Sequence, residues 1–255
     1  MTPTDARLSF VFPMWNEEAM VRRTVSAAVE AGDDLVRAGC LGSYELVLVD
    51  DASTDGTGKL IDEMADADPR ICVVHHAHNR KLGGALRSGF AASTGDVVLY
   101  TDADLPCEIA EVGKALRMLR LYDADIVSAY RFDRTAEGPR RAVYSYVYNH
   151  LVRWVLGVRV RDVNFAFKLI RRRVLDDIEL VSEGSFIDAE LVAKAHKRGF
   201  RVVQFGVDYV ARTRGVSTLS SPAVIATIVR ELRTLRPQIK RLDRLPDHVL
   251  DGQPA

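Results

Sequence analysis

The sequence of 255 residues contains few cysteines and few aromatic residues, and it has no long apolar run. Its three cysteines form no C-x-x-C pair and no even set for disulfides, which favours a reducing compartment. No run reaches the roughly 18 apolar residues that span a bilayer, and residues 1–7 lack the apolar core of a signal peptide. We therefore expect a chain that does not cross a membrane by itself.

Net charge is also absent, because 35 Lys and Arg residues balance 35 Asp and Glu residues. The balance is a cancellation between two unequal halves. Residues 1–110 contain 9 basic and 18 acidic residues, whereas residues 111–255 contain 26 basic and 17 acidic residues. The basic half lacks the interleaved aromatic residues on which nucleic-acid bases stack, so we expect no nucleic-acid partner.

Short apolar runs alternate with helical segments along the first half of the chain. The predicted strands are 8–13, 44–49, 70–74, 96–100 and 125–129, and the predicted helices are 16–31, with Asn16 as its N-cap, 57–67, 82–93 and 109–121. This alternation indicates a mostly parallel α/β sheet flanked by helices on both faces, with its site at the carboxyl ends of the strands. Beyond residue 130 we predict helices over 141–156, 187–197 and 222–240 and strands over 163–170 and 201–209.

Two acidic turns follow predicted strands in the first half. Asp50 and Asp51 come directly after an apolar run, and Asp102 and Asp104 form a D-x-D after another. Adjacent carboxylates repel each other, so they need hydrogen bonds, a cation or solvent nearby. Carboxylates two residues apart in a bent loop are able to reach one hard cation. A D-x-D alone is weak evidence, but its place after the fourth strand of such a sheet strengthens it.

Two other groups of residues stand out. His75, His76 and His78 crowd one strand end, and because three side chains there cannot all point the same way, we predict no metal site from them. The run Arg171–Arg173 is interpreted as surface charge near a helix start.

Several motifs together resemble those of glycosyltransferase family 2, which has the GT-A fold. They are Phe12-Pro13-Met14-Trp15-Asn16-Glu17-Glu18, Val49 to Thr57, Thr94-Gly95-Asp96 leading into Asp102-Ala103-Asp104, Arg131 after the fifth strand, Asp162 before Ala166-Phe167-Lys168, and Arg212 to Ser217. The sequence is most similar to the dolichyl-phosphate mannose synthase branch and its polyprenyl-phosphate relatives. The resemblance covers residues 8–218 as one domain, with a nucleotide-sugar half (8–130) and an acceptor half (131–218).

The resemblance implies the roles of the acidic half. A nucleoside-diphosphate sugar would bind at Pro13, Trp15, Asn16, Glu17, Asp50 and Asp102, with Asp50 accepting hydrogen bonds from the base. Mg²⁺ or Mn²⁺ would be held against the diphosphate by Asp102 and Asp104, and Asp104 is also expected to be catalytic. Relatives usually have Tyr where Trp15 stands, which leaves the base preference open.

For the basic half, the resemblance implies inverting transfer to an acceptor. Arg131 and Arg212 are expected to be catalytic through the acceptor phosphate, and Arg141, Ser145 and Asn149 are expected to bind the acceptor. A hydroxyl acceptor requires a general base, whereas a phosphate acceptor is already anionic. Asp188 and Glu190 are candidate bases, although charges at a helix start are the commoner explanation of such a pair. The lack of a compelling base beside Asp104 favours a phosphate acceptor.

The acceptor and the cellular location stay open between two alternatives. The first is polyprenyl phosphate at the cytoplasmic face of the membrane, with peripheral membrane contact or a membrane partner protein. The second is a soluble small-molecule or nucleoside-like acceptor. The stripe Ile225, Ile228, Leu232, Leu235 and Ile239 predicts an amphipathic helix over 222–241 that packs on protein or lies on lipid. Residues 242–255 are expected to be a polar tail, and a homodimer is a further expectation.

Overall fold

The computed structural model of the protein describes residues 5–132, 152–154, 156–158, 160–209 and 222–250. Its strands are β1 (Arg7–Met14), β2 (Ser43–Asp50), β3 (Ile71–His75), β4 (Val97–Thr101), β5 (Ile126–Arg131), β6 (Phe167–Arg171) and β7 (Val202–Val207). Its helices are α1 (Glu18–Arg37), α2 (Thr57–Ala67), α3 (Lys81–Ala92), α4 (Glu111–Leu121), α5 (Arg172–Asp177), α6 (Ile187–Arg198), α7 (Pro222–Arg241) and α8 (Asp247–Leu250).

The seven strands form one sheet in the order β3-β2-β1-β4-β6-β5-β7. All neighbouring pairs are parallel except those of β6, which runs antiparallel to both β4 and β5. The predicted fold class, a mostly parallel α/β sheet flanked by helices, is confirmed. Strands β6 and β7, from the second half of the chain, pair with β4 and β5 of the first half, so both halves belong to this one sheet.

The apolar runs of the central strands are buried on both faces of the sheet, as parallel strands require. Leu8, Phe10 and Phe12 of β1 pack in one core with apolar side chains of α1 and α4. Val11 of the same strand points to the other face, where α3 and α6 contribute to a second core. The alternation within β1 therefore fixes which helices cover which face.

The first helix does not begin where the sequence predicted. Asn16 has a φ of +56°, and its carboxamide oxygen accepts a hydrogen bond from the backbone N–H of Thr54 at 2.7 Å. The expected N-cap at Asn16 is therefore wrong, because that side chain holds the neighbouring turn. Helix α1 begins at Glu18 and continues to Arg37, six residues beyond the predicted end at Ala31.

The strand predicted over 163–170 is shorter than expected. A turn closed by the hydrogen bond from the Phe165 N–H to the Asp162 carbonyl, 3.0 Å long, precedes it, and Asp162 has a φ of +49°. Strand β6 therefore begins only at Phe167. Because β6 is antiparallel, this turn lies at the edge of the sheet where the parallel strands end.

Arg171–Arg173 lie near a helix start as interpreted, but these half-buried side chains are bound within the fold and are not free surface charge. Arg171 and Arg172 donate from Nε to backbone carbonyl oxygens at 2.8 and 3.0 Å, and Arg173 Nε lies 2.7 Å from the buried carboxylate of Asp125. The first two guanidinium groups satisfy backbone carbonyls next to strands, and the third pairs with a buried carboxylate. They therefore anchor β6 and α5, the short helix whose start the sequence predicted at this run.

Helix α7 supports the packed alternative for the C-terminal stripe. Leu232, Leu235 and Ile239 are at least 94% buried in a third cluster that includes Phe186 and Val192. The basic residues beside this stripe, Arg233, Arg236 and Lys240, are exposed. Among the helices of the described ranges, none combines the length and the apolar character needed to span a bilayer.

Candidate functional site

The candidate site lies where the order of the strands reverses. From β1 the chain proceeds to β2 on one side, and after β3 it crosses to β4 on the other side. Ligands of open α/β sheets bind at this point, outside the carboxyl ends of the strands. Three predicted site segments meet there: Asp50 ends β2 opposite Met14 of β1, and Asp102 directly follows β4. The structure therefore brings the two acidic turns to one edge of the sheet.

Side chains connect the loop after β1 to the loop after β2. The Asn16 N–H donates to Ser53 Oγ at 3.0 Å, and the Asn16 carboxamide receives the Thr54 N–H. The Glu17 N–H donates to Thr57 Oγ1 at 2.9 Å. These bonds use side chains of one loop to fix the backbone of the other, so the two loops are bound to each other. Asn16 and Glu17 thus have structural contacts beside the base-binding role predicted for them.

Trp15 sits in the same loop with 56% of its surface exposed, and Pro13 before it is half-buried. A large exposed indole next to buried strands is an unusual use of an apolar side chain. Its flat face is suitable for stacking on a nucleotide base. The roles of Pro13 and Trp15 in base binding stay predictions.

The adjacent carboxylates of Asp50 and Asp51 are held by separate partners. Asp50 Oδ1 accepts the Ser53 N–H at 2.9 Å, and Asp50 Oδ2 lies 3.0 Å from His75 Nδ1. Asp51 Oδ1 accepts the Arg80 N–H at 2.7 Å and lies 2.7 Å from His76 Nδ1.

Burial of Asp50 opposes its charge, but these hydrogen bonds outweigh burial and lower the pKa of its carboxyl below the usual range. The two histidines therefore offset the repulsion that the sequence predicted, each at a different carboxylate.

The D-x-D turn is held in a strained conformation. Asp102 and Asp104 are half-buried on either side of the buried Ala103, and the Leu105 N–H closes the turn on the Asp102 carbonyl at 3.1 Å. Leu105 has a φ of +50°, which is costly for a bulky side chain. The Thr24 hydroxyl of α1 donates to the Ala103 carbonyl and anchors the turn to the helix. The two carboxylates are thus presented by a turn with little freedom.

The oxygen donors of Asp102 and Asp104 fit a hard divalent cation. Within the described part of the chain, no group of three or more His, Cys, Asp or Glu side chains converges as a metal cage. Two carboxylates alone make a weak site, so a cation would need further oxygens such as those of a diphosphate. The donor set therefore suits a cation that arrives with its nucleotide.

On the acceptor side, Arg131 at the end of β5 is part of a buried ion pair. Its Nε and Nη2 lie 2.6 and 2.7 Å from the two carboxylate oxygens of Asp162. The guanidinium lies 5.6 Å from the ring centroid of Phe165 and 5.3 Å from that of Tyr209. This two-point pair and the flanking rings fix the plane of the guanidinium at the site edge. Binding of an acceptor phosphate by Arg131 stays a prediction.

Beneath the D-x-D turn lies a buried ion pair that sequence reasoning did not identify. Lys168 of β6 is fully buried, and its Nζ lies 2.5 Å from Asp188 Oδ1, 2.8 Å from the Phe165 carbonyl and 3.1 Å from Tyr100 Oη. Burial lowers the pKa of the Lys168 ammonium below its ordinary value, although the charges of Asp162 and Asp102 oppose that shift. Burial likewise raises the pKa of the Asp188 carboxyl well above its usual range.

Both candidate bases are therefore internal. Asp188 binds Lys168, and Glu190 accepts the N–H groups of Val181 and Ser182 at 2.9 and 2.8 Å. Both carboxylates lie in the first turn of α6, as the helix-start interpretation predicted, and both are at least 98% buried. The signal for Lys168 was present in the sequence, because a lysine within Phe-Lys-Leu-Ile must find a buried partner. The predicted acceptor residues Arg141, Ser145 and Asn149, and the predicted catalytic Arg212, lie outside the described residues.

The matching family model and the fold, with its two acidic turns at the switch point, identify the chain as a glycosyltransferase with the GT-A fold. It belongs to glycosyltransferase family 2, whose family model, "Glycosyl transferase family 2", matches residues 9–179.

Curated relatives are similar over most of the chain. Glycosyltransferase AglD of Haloferax volcanii is 33% identical over 82% of this chain, which spans only 34% of the length of that relative. Polyprenol monophosphomannose synthase of Mycolicibacterium smegmatis is 34% identical over 69% of this chain and 70% of its own length. Undecaprenyl-phosphate mannosyltransferase of Micrococcus luteus is 29% identical over 89% and 93%, respectively.

Solved structures support the fold. The mannosyltransferase PcManGT from Pyrobaculum calidifontis, in complex with GDP-Man and Mn²⁺, superposes with a TM-score of 0.65 at 19% identity, covering 96% of this chain and 67% of that one. Glucosyl-3-phosphoglycerate synthase from Mycobacterium tuberculosis gives a TM-score of 0.67 at 21% identity, covering 89% of this chain and 80% of that one.

Proposed function

We propose that the protein transfers a sugar, with inversion, from a nucleoside-diphosphate sugar to polyprenyl phosphate. The observation that carries the proposal is the meeting of the Asp50 turn and the Asp102–Asp104 turn at one sheet edge, in a chain whose relatives include polyprenyl-phosphate transferases. The donor is GDP-mannose or a UDP-sugar. Asp50 accepts hydrogen bonds from the base, and Trp15 stacks on it.

Asp102 and Asp104 hold Mg²⁺ or Mn²⁺ together with the donor diphosphate. The cation stabilises the negative charge that develops on the leaving diphosphate as the glycosidic C–O bond breaks. The strained turn and its anchor at Thr24 keep both carboxylates in place before the donor binds. A rigid pair loses little conformational freedom on binding, which favours affinity.

A phosphate acceptor agrees with the state of the candidate bases. Asp188 and Glu190 are committed to internal partners, so neither is positioned at a surface where an acceptor hydroxyl would lose its proton. A phosphate monoester needs no such base near neutral pH. Arg131, fixed by Asp162, would orient that phosphate by charge-assisted hydrogen bonds. Peripheral contact with the membrane is part of this proposal, since the acceptor is a lipid.

The test is transfer of radiolabelled sugar from GDP-mannose and from UDP-glucose to a short-chain polyprenyl phosphate dispersed in detergent, with Mn²⁺ or Mg²⁺. Labelled product should enter the organic phase. Asp104→Ala should reduce transfer by at least 100-fold, whereas Asp66→Ala, on the exposed face of α2, should leave it unchanged.

Turnover by the Asp104 variant at saturating Mn²⁺ would refute the role of that carboxylate. If label is transferred only to added soluble acceptors in the aqueous phase and none enters the organic phase, the lipid acceptor is refuted.

A further inference from the structure

The histidines at the end of β3 remain unexplained by the proposed chemistry. In the sheet register His75 lies directly opposite Asp50, and the His76 N–H donates to the Asp50 carbonyl at 2.9 Å. Each histidine ring then contacts one of the two adjacent carboxylates at the end of β2. The pairing is therefore built by the register of two neighbouring parallel strands.

His75 stands between two carboxylates. Its Nδ1 lies 3.0 Å from Asp50 Oδ2 and its Nε2 lies 2.9 Å from Asp62 Oδ1 of α2. A neutral imidazole has one N–H, so only the protonated ring donates to both. Hydrogen bonding to Asp62 and to Asp50 raises the pKa of His75 above its ordinary value, although burial opposes this.

The two carboxylates are not equally able to move. The Asp50 side chain is 9% exposed and also receives the Ser53 N–H, whereas the Asp62 side chain is 58% exposed on a helix surface. When the ring loses one proton, Asp62 is able to turn to solvent at little cost, while Asp50 is not. The hydrogen bond from His75 Nδ1 to Asp50 is thus the contact that persists. Gly58 leaves space for the Asp50 carboxylate in this position, because a Cβ added at Gly58 would lie 2.8 Å from Asp50 Oδ2.

We propose that His75 is a positioning residue for base selection: its Nδ1–H holds Asp50 Oδ2, so that the carboxylate presents a fixed acceptor edge to the nucleotide base. This role rests on the proposed function. Guanine, uracil and thymine carry a ring N–H that a carboxylate accepts, whereas adenine and cytosine present a lone pair at the equivalent ring nitrogen. A fixed carboxylate attracts the first group and repels the second, but a carboxylate that rotates discriminates less.

Two substitutions separate the contacts of the ring. In His75→Asn the amide nitrogen takes the place of Nδ1 and keeps the bond to Asp50. In His75→Gln the amide nitrogen takes the place of Nε2 and keeps only the bond to Asp62. His78→Gln is the matched control, because His78 is exposed on the same segment.

The experiment measures dissociation constants of UDP, GDP, CDP and ADP for each variant by calorimetry with Mn²⁺, and melting temperatures in parallel. For the preferred diphosphate we expect His75→Gln to bind about five- to tenfold more weakly, as for loss of one hydrogen bond to a charged group. The ratio by which His75→Gln prefers this diphosphate over CDP or ADP should fall by a similar factor. His75→Asn and His78→Gln should stay within twofold of the wild type.

Three results overturn the role of His75. Equal binding by His75→Gln and the wild type would show that Asp50 needs no such support. Equal losses of nucleotide affinity in His75→Asn and His75→Gln would indicate that the histidine ring has only a structural role. A loss in His75→Gln with unchanged base preference would exclude selection. If the wild type binds none of the four diphosphates, the proposed function itself fails, and the role of His75 fails with it.

Discussion

The buried pair Lys168–Asp188 gives the sharpest test of how the site is supported. Replacing Lys168 by Met keeps most of the side-chain volume but removes the ammonium from three oxygens: Asp188, the Phe165 carbonyl and the Tyr100 hydroxyl. Removal of one partner of a buried ion pair typically costs about 3–5 kcal/mol, since it strands the other charge. With both side chains at least 98% buried, we expect the free energy of unfolding at pH 8 to fall by about 3 kcal/mol.

The loss should depend on pH in one direction. Without Lys168, burial keeps the folded pKa of the Asp188 carboxyl above its unfolded value, so the folded state binds the extra proton more readily. Acidification therefore stabilises the variant, and the difference from the wild type shrinks as pH falls. About 1–2 kcal/mol should remain at pH 6, because the Phe165 carbonyl still lacks its donor.

The assay is urea unfolding followed by circular dichroism at pH 6 and pH 8, with Lys197→Met as the control. Lys197 is an exposed lysine of α6, so its loss should change the free energy of unfolding by less than about 0.5 kcal/mol. A loss below 1 kcal/mol in Lys168→Met, or one that grows on acidification, would refute the reasoning that a charge is stranded.

Two smaller perturbations test other contacts. Gly83→Ala should destabilise the fold by about 1–3 kcal/mol in thermal unfolding, because the added Cβ would overlap the Ser182 carbonyl. The control Gly113→Ala has room for its Cβ and should stabilise helix α4 by up to about 1 kcal/mol. Equal effects of the two substitutions would contradict the close approach of Gly83 to Ser182. Asp62→Asn should lower the free energy of unfolding by less than about 1 kcal/mol at pH 5.5 and leave it unchanged at pH 9. The reason is that the pKa of His75 is raised in the folded state, so protonated His75 stabilises the fold fully at pH values below its unfolded pKa. That contribution disappears as pH rises through the folded pKa. A pH-independent difference between Asp62→Asn and the wild type would exclude the histidine as its source.

The sequence predicted those parts of the fold whose signals are local. Short apolar runs gave the strands on which both acidic turns depend, and Asp50 and Asp102 follow β2 and β4 as expected. The helix boundary was predicted wrongly where a side chain binds a residue that is distant in the sequence. Asn16 has the composition of an N-cap, yet its carboxamide binds Thr54, 38 residues away, and no local pattern shows that competition.

The supports of the site could not be predicted for the same reason. Lys168 meets Tyr100 across 68 positions, and its strand is antiparallel although its neighbours are parallel. Periodicity reports which face a residue occupies but not the direction of its strand or its partner. His75 is similar: its partner Asp50 is set by the register of β2 and β3, which only the folded sheet establishes.

The antiparallel insertion of β6 has a consequence for how the family diversifies. The chain leaves the sheet at the end of β5 and returns at the start of β6, and these two strands are adjacent, with Ser128 opposite Lys168. The excursion between them therefore begins and ends at neighbouring positions, so its length is not dictated by the sheet. Segments of different length and composition can be exchanged there without disturbing the strands that carry Asp50 and Asp102. On the acceptor-binding roles predicted for Arg141, Ser145 and Asn149, exchange of this one segment would change the acceptor preference and leave the donor side unchanged.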